Sequence, residues 1–217
     1  MWNWDYALRI LPELVLALRI TIYATFMGFF FAVVLGLALA LARRSTFKPL
    51  ELITCAFIEF IRSTPLLAQL FFLFFALPRF GIVIPPLMTG VLGLGIHYST
   101  YLSEVYRAGI DAVPRGQWEA ATALNFSRIK VWIKIILPQA IPPVVPVMGN
   151  YLIGMFKDTP LLSTITVVEL LLTARIIGTH SFRFIEPLTL VGVLFLILSY
   201  VSSLGVQRLE GALSNRW

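Results

Sequence analysis

Long stretches without a single charge alternate with short polar ones along this chain. Residues 20–42, 80–103, 135–156 and 187–207 contain no Asp, Glu, Lys or Arg. About 20 mostly apolar residues cross a bilayer core as a helix, so each stretch predicts a spanning helix. Residues 63–78 are short alone, but 52–61 extend them upstream with Glu59 as the one charge in that extension. The expectation is an all-α integral membrane protein with five transmembrane helices. The first span is expected from near Leu14. Residues 1–13, with Trp2, Trp4 and Tyr6, form an interfacial lead-in of the kind aromatic side chains favour at the membrane–water boundary. Residues 43–49 are a basic turn and 78–86 an external loop. With no repeat, linker or low-complexity tract, 1–217 is one transmembrane domain.

Two stretches depart from the plain alternation. The fourth span holds Pro138, Pro142, Pro143 and Pro146, followed by Gly149, which remove backbone donors and predict a bent or opened helix. Unpaired backbone is tolerated at membrane depth only where protein or a water-filled cavity receives it. This span is expected either to face a pathway or partner, or to be a kinked helix satisfied by its neighbours. The other departure is the polar stretch 107–134. Pro114 and Gly116 mark a turn, 117–124 are good helix formers, Asn125 suits a left-handed helix end, and Ser127 suits the cap of the next helix. A short helix within 114–126 is expected, with Arg115, Gln117 and Glu119 exposed, Trp118 as apolar anchor, and Ala120, Ala121 and Ala123 allowing close approach of another surface.

Composition agrees with a bilayer as solvent: 59% of the 217 residues are hydrophobic and 13% charged, with a mean hydropathy of +0.87. The net charge of +6 is distributed as membrane topology distributes it, not as a nucleic-acid surface would. With Arg43, Arg44 and Lys48 inside, that side also receives Arg107, Arg115, Arg128, Lys130, Lys134, Arg208 and Arg216. The other side keeps Arg9, Arg79, Arg175 and Arg183, mostly beside acidic residues. The bias predicts the N-terminus outside and the C-terminus in the cytoplasm, which requires an odd span count. Asp5 and Glu13 replace the basic cluster of a cleaved signal, so the first helix is expected to be retained. The single Cys55 leaves no internal disulfide and is expected to pack. No phosphate-binding Gly-x-x-x-x-Gly-Lys-Ser/Thr loop and no His-Glu-x-x-His or Cys-x-x-Cys pattern occurs, so no catalytic residue, metal or bound cofactor is expected on this chain.

Glu119-Ala120-Ala121, then Asn125, then Ile135-Ile136-Leu137-Pro138 resemble the cytoplasmic signature loop of type I ABC importer permeases. The departure is Asn125 where the pattern has glycine, a mild one because Asn readily adopts left-handed backbone. Arg62-Ser63-Thr64-Pro65-Leu66-Leu67-Ala68-Gln69, residues 101–109, Val113-Pro114-Arg115-Gly116-Gln117-Trp118 and Lys157-Asp158-Thr159-Pro160-Leu161-Leu162 resemble the polar amino acid branch, over nearly the whole chain. Residues 97–124 and 148–162 are most similar to ectoine and hydroxyectoine permeases. The resemblance implies a bacterial inner-membrane subunit with a five-helix core. It further implies a second permease copy or a similar permease, two ABC ATPase subunits that hold ATP and Mg, and an extracytoplasmic solute-binding protein. Pro114, Gly116, Trp118, Glu119, Ala120, Ala121 and Asn125 would form the coupling helix. Glu119 would be its anchor and cap, Trp118 and Ala121 its contact surface.

Ionisable groups in or near spans are default candidates for a substrate route. Glu59 and Arg62, and likewise Glu104 and Arg107, are three apart and predict pairs along one helix face, as structural ties or substrate contacts. Asn150, Tyr151, Met155 and Asp158 lie near one end of the fourth span. Tyr151 and Asp158, seven apart, share a face. Asp158 is also placed to cap a following short helix. Similar permeases for amino acids, cationic ones included, often carry an acidic residue where Tyr151 stands, which argues against lysine or arginine. A tyrosine face suits a delocalised cation or a zwitterionic osmolyte; packing of Tyr151 against a neighbouring helix is the equal alternative. The alternative to an ATP-driven importer is a secondary transporter or channel, disfavoured by the absence of an internal repeat.

Overall fold

The computed structural model describes residues 2–214, all-helical with connecting turns and no strand among them. The helices are α1 (Trp4–Arg43), α2 (Lys48–Arg62), α3 (Leu66–Phe71), α4 (Pro86–Asp111), α5 (Arg115–Ala123), α6 (Arg128–Val131), α7 (Leu137–Asp158), α8 (Leu170–Ser181) and α9 (Ile185–Ser214). α1 begins ten residues before the expected span. Asn3 caps it by accepting from the Tyr6 amide at 3.0 Å, and Asp5 complements the first turn. Residues 4–13 of the anticipated lead-in are therefore part of α1 itself.

The buried residues of α1 include Gly28, Ala32, Gly36 and Ala40, a four-residue period of small side chains along one face. Small residues let helix backbones approach in lipid, where burial of apolar surface supplies no driving force. α4 is the helix that comes close. A Cβ on Gly28 would lie 3.2 Å from Leu94 Cβ, and one on Gly36 would lie 2.8 Å from the Ser99 carbonyl oxygen. Around this seam a core of Ala24, Ala32, Leu94, Tyr98, Leu102, Leu66, Leu70, Met155, Leu162 and Ile165 gathers residues from α1, α3, α4, α7 and the turn after α7. The outward faces carry exposed Phe26, Phe30, Leu196, Ile197 and Val201, as lipid contact requires.

Several expected boundaries move. α4 starts at Pro86, not at residue 80, because Gly81 sits at φ 82° and Pro85-Pro86 sets the helix start. It runs on to Asp111, past the expected end. The segment expected as one span over 52–78 is two helical pieces bent by 104°. Pro65, which cannot continue the ladder of α2, marks the break. Gln69 braces the bend: its Nε2 donates at 2.8 Å to the Ile61 carbonyl, which also accepts from the Thr64 amide and hydroxyl at 3.3 and 3.1 Å. Among the described residues, three helical segments are long and apolar enough to cross a membrane, four if the bent pair is one span. α4 is the remaining long helix, its apolar character diluted by His97, Ser99, Thr100, Ser103 and Glu104.

The prolines of the fourth span do not break it, since residues Arg128–Ile165 form one continuous helical segment. The irregularity lies upstream, as a π turn over Trp132–Ile136. Its placement has a cause: the Pro138 ring would collide with the carbonyl of Lys134, four residues earlier and inside that turn.

At the end where the chain starts, Glu186 accepts from the Asn3 amide at 3.0 Å and pairs with Arg183. Tyr6 and Ser181 share a 2.6 Å hydrogen bond. These contacts pin the start of α1 to the α8–α9 corner. Glu169 caps α8, its carboxylate accepting from the Leu171 and Leu172 amides at 2.9 Å each. Burial pushes its carboxyl pKa up, and the two backbone donors only partly oppose this. A carboxyl whose folded pKa is raised contributes stability below its unfolded value of about 4.3, and that contribution is lost as pH rises through the folded value. Glu169→Gln, which keeps an acceptor oxygen, is expected to flatten the fall in melting temperature as pH rises above about 4 relative to wild type.

Candidate functional site

Two features stand out: a polar-edged cavity between α4 and α7, and the short helix α5. The cavity encloses about 330 Å³ and is lined by Arg62, Tyr101, Glu104, Pro143, Val144 and Tyr151, among others. α4 supplies its wall because Tyr101, Glu104, Val105 and Ala108 recur at helical spacing on one side. Gly109 lets α7 approach: a Cβ there would lie 2.2 Å from Val144 Cγ2 and 3.0 Å from the Ala140 carbonyl.

The tyrosines form a continuous aromatic surface. Tyr101 and Tyr151 have ring centroids 5.8 Å apart, and Tyr98 and Tyr151 meet edge to face at 6.2 Å. At one end the Tyr98 hydroxyl donates to Asp158 Oδ2 at 2.7 Å. At the other, the Arg62 guanidinium lies 5.3 Å from the Tyr101 ring centroid. His97 stacks beside Tyr98 and Tyr101 and faces Gln69 Oε1 at 3.2 Å. Gln69 already donates through Nε2, so its Oε1 accepts and His97 Nδ1 carries the proton.

Glu104 is the centre of an ionic cluster at the same end of α1, α2 and α4. It pairs with Arg43, accepts from Arg107 Nε at 2.9 Å, and stands 4.0 Å from Arg62. Asp111 joins Arg44 and Arg107 at 2.7 and 3.0 Å. A second cavity, of about 620 Å³, lies behind this cluster and is lined by Arg43, Cys55, Glu59, Arg62 and Glu104.

The sequence-derived candidates separate on this geometry. Tyr151, Arg62 and Glu104 line the first cavity, and Asp158 is tied through Tyr98 to the tyrosines that line it without lining it itself. Met155 is fully buried in the core and Asn150 is exposed; neither lines the cavity. Glu59 lines only the second cavity and forms no pair with Arg62, which instead turns toward Glu104. The Glu104–Arg107 pair is present as expected. Asp158 stands at the start of the short 3-10 helix Thr159–Ile165, yet its side chain makes no capping bond there because Tyr98 has it. Tyr98, Tyr101, His97, Gln69 and Arg43 were not among the candidates. Tyr101 stands three and four residues after Tyr98 and His97, about one turn on, within a charge-free run, which was the available signal.

α5 spans Arg115–Ala123 after Pro114. Its end is built as expected: Asn125 has φ 55°, its amide donates to the Thr122 carbonyl at 2.9 Å, and the Phe126 amide reaches the Ala121 carbonyl at 3.1 Å. Ser127 occupies the cap position of α6 without a side-chain bond. Trp118 is half-buried and meets Trp132 edge to face at 5.4 Å. Ala121, expected on the contact surface, is instead buried with Ile110, Val113, Val131, Ile136 and Ala140. Glu119 is exposed, forms no hydrogen bond or ion pair among the described residues, and caps nothing. The free surface of α5 is formed by Arg115, Gly116, Gln117, Glu119, Ala120 and Ala123, continued by exposed Leu124, Phe126 and Ile129.

A helical membrane protein with a polar-edged cavity between packed helices and a short surface helix held on their ends has the architecture of a transport permease. Residues 28–213 match the family described as binding-protein-dependent transport system inner membrane component. The chain belongs to this family: it is the membrane subunit of an ABC transporter, not an enzyme, and ATP hydrolysis resides on a separate subunit. A probable amino-acid ABC transporter permease of Sinorhizobium fredii is 47% identical, over 99% of this chain and 96% of its own length. An L-cystine transport system permease of Bacillus subtilis is 35% identical, over 88% and 83%. The crystal structure of an amino acid ABC transporter with histidines superposes with a TM-score of 0.93 at 33% identity, covering 98% of this chain and 99% of that one. The inward-facing MetNI methionine ABC transporter, at 21% identity and a TM-score of 0.70 over 91% and 92%, shares the fold.

Proposed function

We propose that this chain is the translocation subunit of an importer for polar amino acids or amino-acid-derived zwitterions, ectoine and hydroxyectoine included. The observation that carries the reading is the tyrosine surface of Tyr98, Tyr101 and Tyr151 bounded by Asp158 at one end and Arg62 at the other. An ordered aromatic face with opposite charges at its ends suits a small dipolar solute better than a simple ion. The named relatives that act on amino acids support the substrate class.

The transport cycle we propose takes the chain through five crossings, with the bent α2–α3 segment as one and α4 as another. The N-terminus lies outside and the C-terminus in the cytoplasm. Two permeases, two ATPases and one binding protein form the assembly, ATP and Mg stay on the ATPases, and this chain holds no cofactor. α5, with Pro114 before it, Gly116 and Glu119 on its free surface and Asn125 closing it, is the lever pushed by the ATPase. Trp118 and Ala121 fasten that lever to the membrane helices, and Ala120 leaves room for the partner. Such a rigid connection converts closure of the ATPases into alternation between inward- and outward-facing states.

The test is uptake into proteoliposomes by the complex reconstituted with its ATPase and binding protein, offered L-glutamine, L-cystine, L-arginine and ectoine. Tyr151→Ala is expected to lower uptake of the transported solute about tenfold, an aromatic contact and its packing being worth roughly 1–2 kcal/mol. ATP-independent accumulation of the solute by the permease alone would sink the importer reading. Uptake unchanged in Tyr151→Ala would remove the tyrosine surface from the route.

A further inference from the structure

We propose that Arg62 is the carboxylate-recognition residue of the cavity: a bound zwitterion takes its guanidinium and displaces Glu104 from it. The inference rests on the substrate reading above and specifies which charged end of the solute is held, and by what exchange.

Three guanidinium groups converge on the one carboxylate of Glu104, but they are not equivalent. Arg43 and Arg107 hydrogen-bond to it, one on each oxygen. Arg62 stops at 4.0 Å, beyond hydrogen-bond reach, and its guanidinium makes no hydrogen bond among the described residues. Its remaining contact is the face of Tyr101, which leaves the edge of the guanidinium, with its five N–H donors, unspent. The surplus is one of charge as well as of donors, because Glu104 is already neutralised by its two nearer partners.

The position of Arg62 matches this chemistry. Arg62 and Glu104 are the two residues shared by the linings of the 330 Å³ and 620 Å³ cavities. The guanidinium therefore stands at the boundary between the tyrosine surface and the space behind it. Gln69 fixes it there by closing the end of α2 one residue before Arg62, at the Ile61 carbonyl. An incoming carboxylate can accept two parallel hydrogen bonds from the fork, a geometry lysine or glutamine cannot reproduce. It competes only with a Coulombic contact at 4.0 Å, not with a formed hydrogen bond. Glu59, on the wall of the second cavity, opposes passage of the same anion in that direction until the cluster rearranges.

Isothermal titration of the intact permease–ATPase complex in nanodiscs decides the matter, using L-glutamine, L-arginine, L-cystine and ectoine, each beside its carboxamide analogue. Wild type is expected to prefer the carboxylate form. Arg62→Gln is expected to weaken that form about tenfold or more while leaving the carboxamide unchanged, since a charge-assisted bond is worth roughly 1.5–3 kcal/mol. Arg62→Lys, which keeps the charge without the fork, should fall between the two. Glu104→Gln should bind the carboxylate as tightly as wild type or more so. The proposal is overturned if Arg62→Gln and Glu104→Gln weaken binding alike, or if Arg62→Gln weakens both ligand forms equally, since Arg62 would then act only as a tie to Glu104. If no ligand of the panel binds the wild-type complex, the substrate reading itself fails, and this one falls with it.

Discussion

Gly36→Leu is expected to prevent assembly of a stable permease. A single Cβ at that position meets the Ser99 backbone oxygen at 2.8 Å and Leu102 Cβ at 3.0 Å, and backbone cannot swing aside as a flexible side chain can. Overpacking a core by a few methylenes costs about 1–3 kcal/mol even where side chains yield, and this seam offers no such relief. The damage extends to the site. α4 carries Tyr98, Tyr101 and Glu104, so prising it from α1 also separates Glu104 from Arg43. The measurement is the melting temperature and the monodisperse fraction after detergent extraction. Gly192→Leu serves as control, because an added Cβ there meets nothing within 4 Å. Equal behaviour of the two variants would show that the α1–α4 seam is not closely packed.

Trp118→Ala is expected to uncouple the transporter. Trp118 meets Trp132 edge to face and packs on the cluster around Ala121, so truncation loosens the attachment of α5 to the membrane helices. Fully buried Trp→Ala changes cost about 3–5 kcal/mol; for a half-buried ring roughly half of that is expected. A lever that moves without dragging its helices transmits no work, so uptake should fall at least about tenfold while the ATPase still co-purifies and hydrolyses ATP. Leu124→Asp and Glu119→Lys separate attachment from docking. Both lie on the free surface of α5 or just beyond it, and they should weaken ATPase co-purification without lowering the melting temperature. Trp118→Ala that lost the ATPase entirely, with Leu124→Asp and Glu119→Lys harmless, would place the docking surface elsewhere.

Residues legible in the chain alone were those whose role depends on nearby sequence. Charge-free runs announced the membrane, because lipid excludes charge whatever the fold. Asn125 announced the end of α5, because the left-handed position that closes a helix is a local backbone event. The Glu-Ala-Ala loop and the segments around it led to the permease family for the same reason. The Glu104–Arg107 pair, three residues apart on one helix, was likewise visible.

The rest depended on which helices meet. Arg62 looked like a partner for Glu59, one turn away, yet α2 ends facing α4 and the guanidinium goes to Glu104 and Tyr101. Asp158 looked like a cap for the turn that follows it, but a hydroxyl from α4, 60 residues earlier, reaches it first. Ala121 looked like open contact surface, and the packing of α4, α6 and α7 beneath α5 buries it. Local spacing sets which side chains share a face of one helix. The partner of that face is set by the whole packing of small residues, prolines and bends, and that is a property of no single segment.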